Sequence, residues 1–245
     1  LGTSFVDGNK TSFNDFLVQM MKEEKVLLFM EDFNEIMTFR NEEKSVSSFD
    51  EETKDIILHY IGHFEEEDLL MVGSANTLYN IDREILAPGR FDVVIPIFPP
   101  NARERSQMIL YHMTESLSDD AMLMKILVKN NADHLPFWEH VSSKMKTFSN
   151  TMIIDFTQSL KKRIRSSYQK NNNENIKIDQ SLLDASLRDA SSKLTEEYLN
   201  QVAQFIHDVS VNNADNFNSR IEALRYELDN YKVIEAPRKS IGFTH

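Results

Sequence analysis

Apolar residues recur along the first hundred positions with two different periods. From Thr11 to Glu24 they fall at Phe13, Phe16, Leu17, Met20 and Met21, the spacing of one face of an amphipathic helix. Val26 to Met30 is instead a continuous apolar run, short enough for a buried parallel strand. Asn41 to Phe49 reads as polar loop. Asp50 is placed to cap a helix running to about His63 that buries Ile56, Ile57, Tyr60 and Ile61. Leu69 to Val72 repeats the buried-strand pattern. Ile81 to Leu86 predicts a short helical turn stopped by Pro88-Gly89, and Asp92 to Phe98 predicts an edge strand, because Pro96 removes a ladder donor. Helix, buried strand, helix, buried strand is the grammar of an α/β fold.

After Pro99-Pro100 the pattern changes. Asn101 followed by Glu104 is a capping box opening a helix to about Met113. Leu123 to Val128, Phe137 to Met145, Asn150 to Tyr168, Leu182 to Ser191 and a long stretch from Thr195 to about Tyr231 carry helical periodicity, with Asn171-Asn172-Asn173 as a polar break. Only Ile176-Lys177-Ile178 resembles a strand. The expected organisation is therefore α/β over residues 1–100, an all-helical segment over 101–205, and a C-terminal helix and tail over 206–245.

Composition narrows the class. In 245 residues there are 27 basic and 39 acidic side chains, a formal charge of -12, which disfavours a grip on nucleic acid through the whole surface. Cysteine is absent, so disulfides, thiol catalysis and cysteine-ligated zinc are excluded. The longest clean apolar run, Val26 to Met30, is far too short to span a membrane. With no signal peptide visible, the chain reads as a cytoplasmic, intracellular protein without a membrane span. His59 and His63 have the i, i+4 spacing of metal ligands, but the segment lacks the glutamate of a zinc-peptidase helix and a third ligand. Trp138 and Phe137 read as helical core. Lys161-Lys162-Arg163 with Arg165 reads as a solvated basic face, and Ile221, Leu224 and Leu228 as a packing stripe.

Three segments carry chemistry. The first strand ends in the adjacent carboxylates Glu31 and Asp32, at the place where open α/β sheets bind ligands. Two acids there can serve a Mg²⁺ ion and a water in phosphoryl transfer. The second strand ends in Gly73-Ser74-Ala75 and then Asn76, whose amide can orient an attacking water. Pro88-Gly89 presents Arg90 just before Asp92, on a turn from which a guanidinium can reach a neighbour's phosphate.

Together these segments resemble the AAA family of ATPases. Val26 to Ile36 is similar to the Walker B strand, and Val72 to Pro100 to the second region of homology, with the string Pro88-Gly89-Arg90-Phe91-Asp92 close to a family signature and Asn76 preceding Arg90 by 14 residues. The later helices resemble the AAA lid, and Ile176 to Phe205 resembles the lid end in segregases of the valosin-containing type. The resemblance implies a partial RecA-like parallel-sheet core followed by an all-helical lid. It implies ATP and Mg²⁺ as ligands, with Glu31 in place of the Mg²⁺-supporting Asp and Asp32 in place of the water-polarising Glu. The usual order of the two acids is reversed. Asn76 matches sensor 1. Arg90 matches the second of two arginine fingers, and Ala87 stands where the first would be. The sensor-2 pattern is replaced by Ser149-Asn150-Thr151-Met152.

Phe5-Val6 lies at the family's distance for pore loop 1, which grips a threaded polypeptide in a hexameric ring, although Asp7 replaces the usual Gly. The 245 residues contain no Gly-x-x-x-x-Gly-Lys-[Ser/Thr]. Gly8-Asn9-Lys10-Thr11 is a decoy, because a P-loop lysine follows its glycine directly. The start at Leu1 points to a P-loop upstream. The resemblance thus implies an ATPase that unfolds, remodels or disassembles proteins as a homo-oligomeric ring, with the isolated chain inactive. The reversed acids, Ala87, the changed sensor-2 positions and the missing P-loop instead support the alternative of a degenerate, non-hydrolysing AAA-like module with a structural role in a larger assembly.

Overall fold

The computed structural model describes residues 10–23, 25–37, 48–61, 69–79, 81, 82, 84–87, 89–115, 121–171 and 175–231. Contacts divide the chain into two units, Leu1–Ile95 and Pro96–His245.

In the first unit the order is α1 (Lys10–Met20), β1 (Val26–Met30), α2 (Phe33–Ile36), α3 (Ser48–Ile61) and β2 (Leu69–Gly73). β1 and β2 pair in parallel, with Val26 opposite Leu69 and Met30 opposite Gly73. A parallel pair needs a crossover rather than a hairpin, and α2 and α3 lie on it. The helix expected from Asp50 begins earlier, at Ser48, so Asp50 lies inside α3. Residues 41–47 and His63 fall outside the described residues.

Both strands were expected to be buried on both faces. The structure covers one. Val26, Leu28 and Met71 pack with Leu69, Ile61, Tyr60 and Met20, while Leu27 and Leu70, opposite each other in the ladder, are each 63 % exposed. The physical reason is the period of a strand: successive side chains point to opposite faces, and α1 and α3 supply apolar cover to only one of them. The segment 92–98 is not a strand. It joins no ladder among the described residues, and Val93, Ile95 and Ile97 are exposed.

The second unit is helical: α4 (Ala102–Thr114), α5 (Ala121–Lys129), α6 (Leu135–Ser142), α7 (Asn150–Asn171), α8 (Gln180–Ser191) and α9 (Glu196–Asp229). α4 opens with the expected capping box, Asn101 Oδ1 accepting from Glu104 N–H at 2.9 Å and Glu104 Oε2 accepting from Asn101 N–H at 2.8 Å. Trp138 is fully buried at the centre of the core with Ile109, Ile126, Phe156 and Leu160. Its indole N–H donates to the Ala132 carbonyl at 2.9 Å, so a large aromatic is buried with no polar atom unpaired. Ile176 to Ile178 forms no strand among the described residues. The Asn130 side chain bonds it instead, Nδ2 donating to Ile176 O and Oδ1 accepting from Ile178 N–H, both at 2.8 Å.

α9 is helical from Glu196 to Asp229, as its periodicity predicts, but it is not straight. The Tyr198 hydroxyl donates to Thr147 O at 2.8 Å, and Thr147 N–H donates to Glu227 Oε2 at 2.9 Å. Tyr198 and Glu227 would lie roughly 43 Å apart in a straight helix. Phe98 likewise meets both Phe205 and Phe217, with ring centroids at 5.2 and 5.7 Å. α9 therefore doubles back between these pairs. Val202, Ile206 and Val209 of the outgoing arm then share one cluster with Ile221 and Leu224 of the returning arm.

Candidate functional site

The site is built where the two strands end. Beyond the last ladder pair, Ser74 N–H donates to Met30 O at 2.9 Å and Phe33 N–H to Ser74 O at 2.8 Å. Between these bonds the chain turns through Glu31 and Asp32, both exposed. Asp32 adopts the left-handed conformation, φ 49° and ψ 40°. That region costs an L-residue about 1–2 kcal/mol, and Asp is among the few residues that visit it. The reversal throws the Phe33 ring inward, where it is buried. Gly73 leaves it room: a Cβ on Gly73 would stand 3.0 Å from Phe33 Cγ. The ring also meets Phe91 edge-on, with centroids 4.9 Å apart.

Asn76, just past the tip of β2, is held by this turn at two points. Its side-chain Nδ2 donates to Asp32 Oδ1 at 3.3 Å, and its backbone N–H donates to Asn34 Oδ1 at 3.1 Å. Glu31, Asp32 and Asn76 thus come from adjoining strand tips. Asn34 was not singled out from the sequence; the one available signal was a polar residue directly after the buried Phe33 in an otherwise acidic and apolar stretch.

Arg90 sits elsewhere, on a turn that the core anchors firmly. Asp82 N–H donates to Met37 O at 3.0 Å, and Ile81 and Ile85 are buried with Met37 and Phe33. The Asp82 carboxylate pairs with Lys54 of α3 and accepts from Glu84 N–H at 3.0 Å. Burial pushes the Asp82 carboxyl up, but the Lys54 hydrogen bond, the Glu84 amide and the charges of Lys54 and Arg90 together hold it below the ordinary carboxylate range. Gly89, at φ 81°, takes the conformation that a side chain disfavours, and its N–H donates to Asp92 Oδ1 at 3.0 Å. Arg90 Nη1 donates to Glu84 O at 2.9 Å and lies 3.7 Å from Glu84 Oε2. The guanidinium is folded against its own turn, on Glu84 and not on Asp92. Phe5, Val6, Arg83 and Pro88 lie outside the described residues.

The donor set suits a hard divalent cation. Mg²⁺ is held through one or two carboxylates together with phosphate oxygens and waters, and Glu31 and Asp32 offer two exposed carboxylates on consecutive residues. Among the described residues no group of three or more His, Cys, Asp or Glu side chains converges to hold a metal by itself.

Comparison with known proteins gives the same class. The profile of the ATPase family associated with various cellular activities (AAA) matches residues 2–99. The ATP-dependent zinc metalloprotease FtsH 2 of Thermoanaerobacter is 24% identical over 103 residues, 42% of this chain and 20% of the relative. The ATP-dependent zinc metalloprotease FtsH of Lachnoclostridium phytofermentans is 29% identical over 124 residues, 49% of this chain and 21% of the relative. Cell division control protein 48 homolog B of Arabidopsis thaliana is 35% identical over 63 residues, 25% of this chain and 10% of the relative. The chain spans about a fifth or less of the length of these relatives. Over residues 2–99 it resembles the AAA family of ATPases.

Proposed function

We propose that this chain supplies the Walker B, sensor 1 and arginine-finger parts of an ATPase that remodels, unfolds or disassembles proteins as a ring of identical subunits. The observation that carries the reading is the hydrogen bond from Asn76 Nδ2 to Asp32 Oδ1 across the two strand tips. It brings together a carboxylate able to polarise water and an amide able to orient it.

In this reading Glu31 holds Mg²⁺ through water and Asp32 accepts the proton of the attacking water. Asn76 keeps the Asp32 carboxylate and that water aligned. Bound Mg²⁺ supplies charge neutralisation at the phosphate oxygens. Arg90 acts in trans on the nucleotide of the adjacent subunit, which requires its guanidinium to leave Glu84. Phe5 and Val6 grip a polypeptide substrate. The zinc peptidase activity in the names of the FtsH relatives is not carried over, since the shared segments are a fifth of those chains. No helix among the described residues is long and apolar enough to cross a membrane.

One observation favours the non-hydrolysing alternative: Arg90 Nη1 is committed to the Glu84 carbonyl of its own turn. Steady-state ATP hydrolysis by the full-length protein separates the two. The proposal expects Asn76→Ala and Arg90→Ala each to lower kcat by about 100-fold, the scale of a lost positioning or charge-stabilising group. It also expects inactive Arg90→Ala subunits to poison wild-type subunits when the two are mixed. Equal rates for all three proteins would end the catalytic assignment of Asn76 and Arg90, and rates at background in all three would leave the non-hydrolysing module.

A further inference from the structure

We infer that Asn34 is a positioning residue for hydrolysis, acting through Asn76; the inference rests on the function proposed above. The ladder between β1 and β2 ends with the bonds of Ser74, two residues short of Asn76. Past that point strand pairing no longer fixes the backbone. Asn34 Oδ1 takes over by accepting the Asn76 N–H at 3.1 Å, 42 residues away in sequence.

The grip has two points on one rigid support. Asp32 and Asn34 flank Phe33, whose ring is buried against Gly73 and Phe91. Asp32 receives the Asn76 side chain and Asn34 receives its main chain. A bond to the side chain alone leaves the residue free to pivot about Cα. The second bond, to the backbone, fixes where Cα stands and hence where the amide points. Misplacement of a catalytic group by about 1 Å can cost on the order of 100-fold in rate. One neutral hydrogen bond is worth roughly 0.5–1.5 kcal/mol net, and the upper end of that range is about tenfold in rate where the transition state depends on it. Asn34 touches neither substrate nor metal in this account, so its effect is expected on turnover and not on binding.

The test uses the full-length protein for kinetics and the amide of Asn76 for structure. Asn34→Ala is expected to lower kcat for ATP about tenfold with KM unchanged, and to speed hydrogen exchange at the Asn76 amide by a similar factor. Asn34→Asp, which keeps an acceptor oxygen, is expected to restore both to within about threefold. In an Asn76→Ala background, Asn34→Ala is expected to cost nothing further. Should Asn34→Ala fail to fold, Asn34→Ser, with a shorter acceptor, carries the same comparison. A kcat within twofold of wild type, or a loss equally large on the Asn76→Ala background, would overturn the positioning role while leaving the proposed function standing. An Asn76→Ala protein as active as wild type would remove the proposed function and this inference together.

Discussion

Arg105 on α4 and Glu227 near the end of α9 are 122 residues apart and form a two-bond pair, Nη1 to Oε2 and Nη2 to Oε1, each at 2.8 Å. The guanidinium is 1 % exposed and also donates to the carbonyls of Pro100 at 2.7 Å and Ser142 at 3.3 Å. Glu227 Oε2 accepts in addition from Thr147 N–H. Removing one partner strands a buried charge, at about 3–5 kcal/mol. Glu227→Ala is therefore expected to lower the unfolding free energy by that amount in urea titrations. Arg220→Ala, which removes a partly exposed pair with Glu104 and a contact with Phe98, should cost only about 1 kcal/mol.

The doubling back of α9 makes a distance prediction. Gln201 and Ala223 are both exposed. Because the chain has no cysteine, labels placed on cysteines introduced at these two positions would be unique. A straight helix would hold the two backbones roughly 33 Å apart, whereas packed arms have axes about 8–10 Å apart. Paired spin labels should show strong short-range coupling. A single distance peak beyond about 30 Å would contradict the folded-back arms.

Gly73→Ala tests the packing beneath the site. The added Cβ would stand 3.0 Å from Phe33 Cγ and 3.2 Å from its Cβ, so the Phe33 side chain must shift. Overpacking of this kind costs about 1–3 kcal/mol. Thermal unfolding should move down accordingly. Phe33→Leu, which removes the ring atoms that crowd the new methyl, should recover part of the loss in the double variant.

Acid should weaken both units at similar pH. The Asp82 carboxyl is held low as described. Burial raises Glu104, but the Asn101 amide and the Arg220 and Arg105 guanidinium groups bring it below the usual range. Asp189 is lowered by the Ser159 and Arg163 hydrogen bonds. A depressed carboxyl stabilises the fold above its unfolded value and loses that contribution as pH falls through its folded value. Stability measured between pH 7 and pH 5 should be flat with respect to these groups, then fall below about pH 4. Asp82→Asn and Glu104→Gln should flatten the acid limb.

Much of this was legible because it is local. The capping box at Asn101 and Glu104 needs only its own four residues, and the apolar periods of α4 to α8 report one buried face each. The strand runs were equally clear, since parallel strands are written without polar alternation. That same property misled: a continuous apolar run states that both faces avoid water, not that both are covered here. The fold-back of α9 was hidden because the apolar stripe runs through both arms, and only the contacts of Thr147 and Phe98 reveal the reversal. At the site, the sequence marked Glu31, Asp32, Asn76 and Arg90 by chemistry and spacing. Asn34 escaped because its contribution is a single acceptor oxygen aimed at a backbone amide. The Arg90–Glu84 contact escaped because it depends on how a turn closes.

The central claim is that Asp32 acts on the water that attacks ATP. It is tested most directly by single-turnover hydrolysis in the full-length Asp32→Asn protein at saturating ATP, with nucleotide binding measured alongside. The account predicts binding within about threefold of wild type and a hydrolysis step slowed by 100-fold or more, the usual scale for a general base. An Asp32→Asn protein that binds ATP and hydrolyses it at the wild-type rate would contradict it.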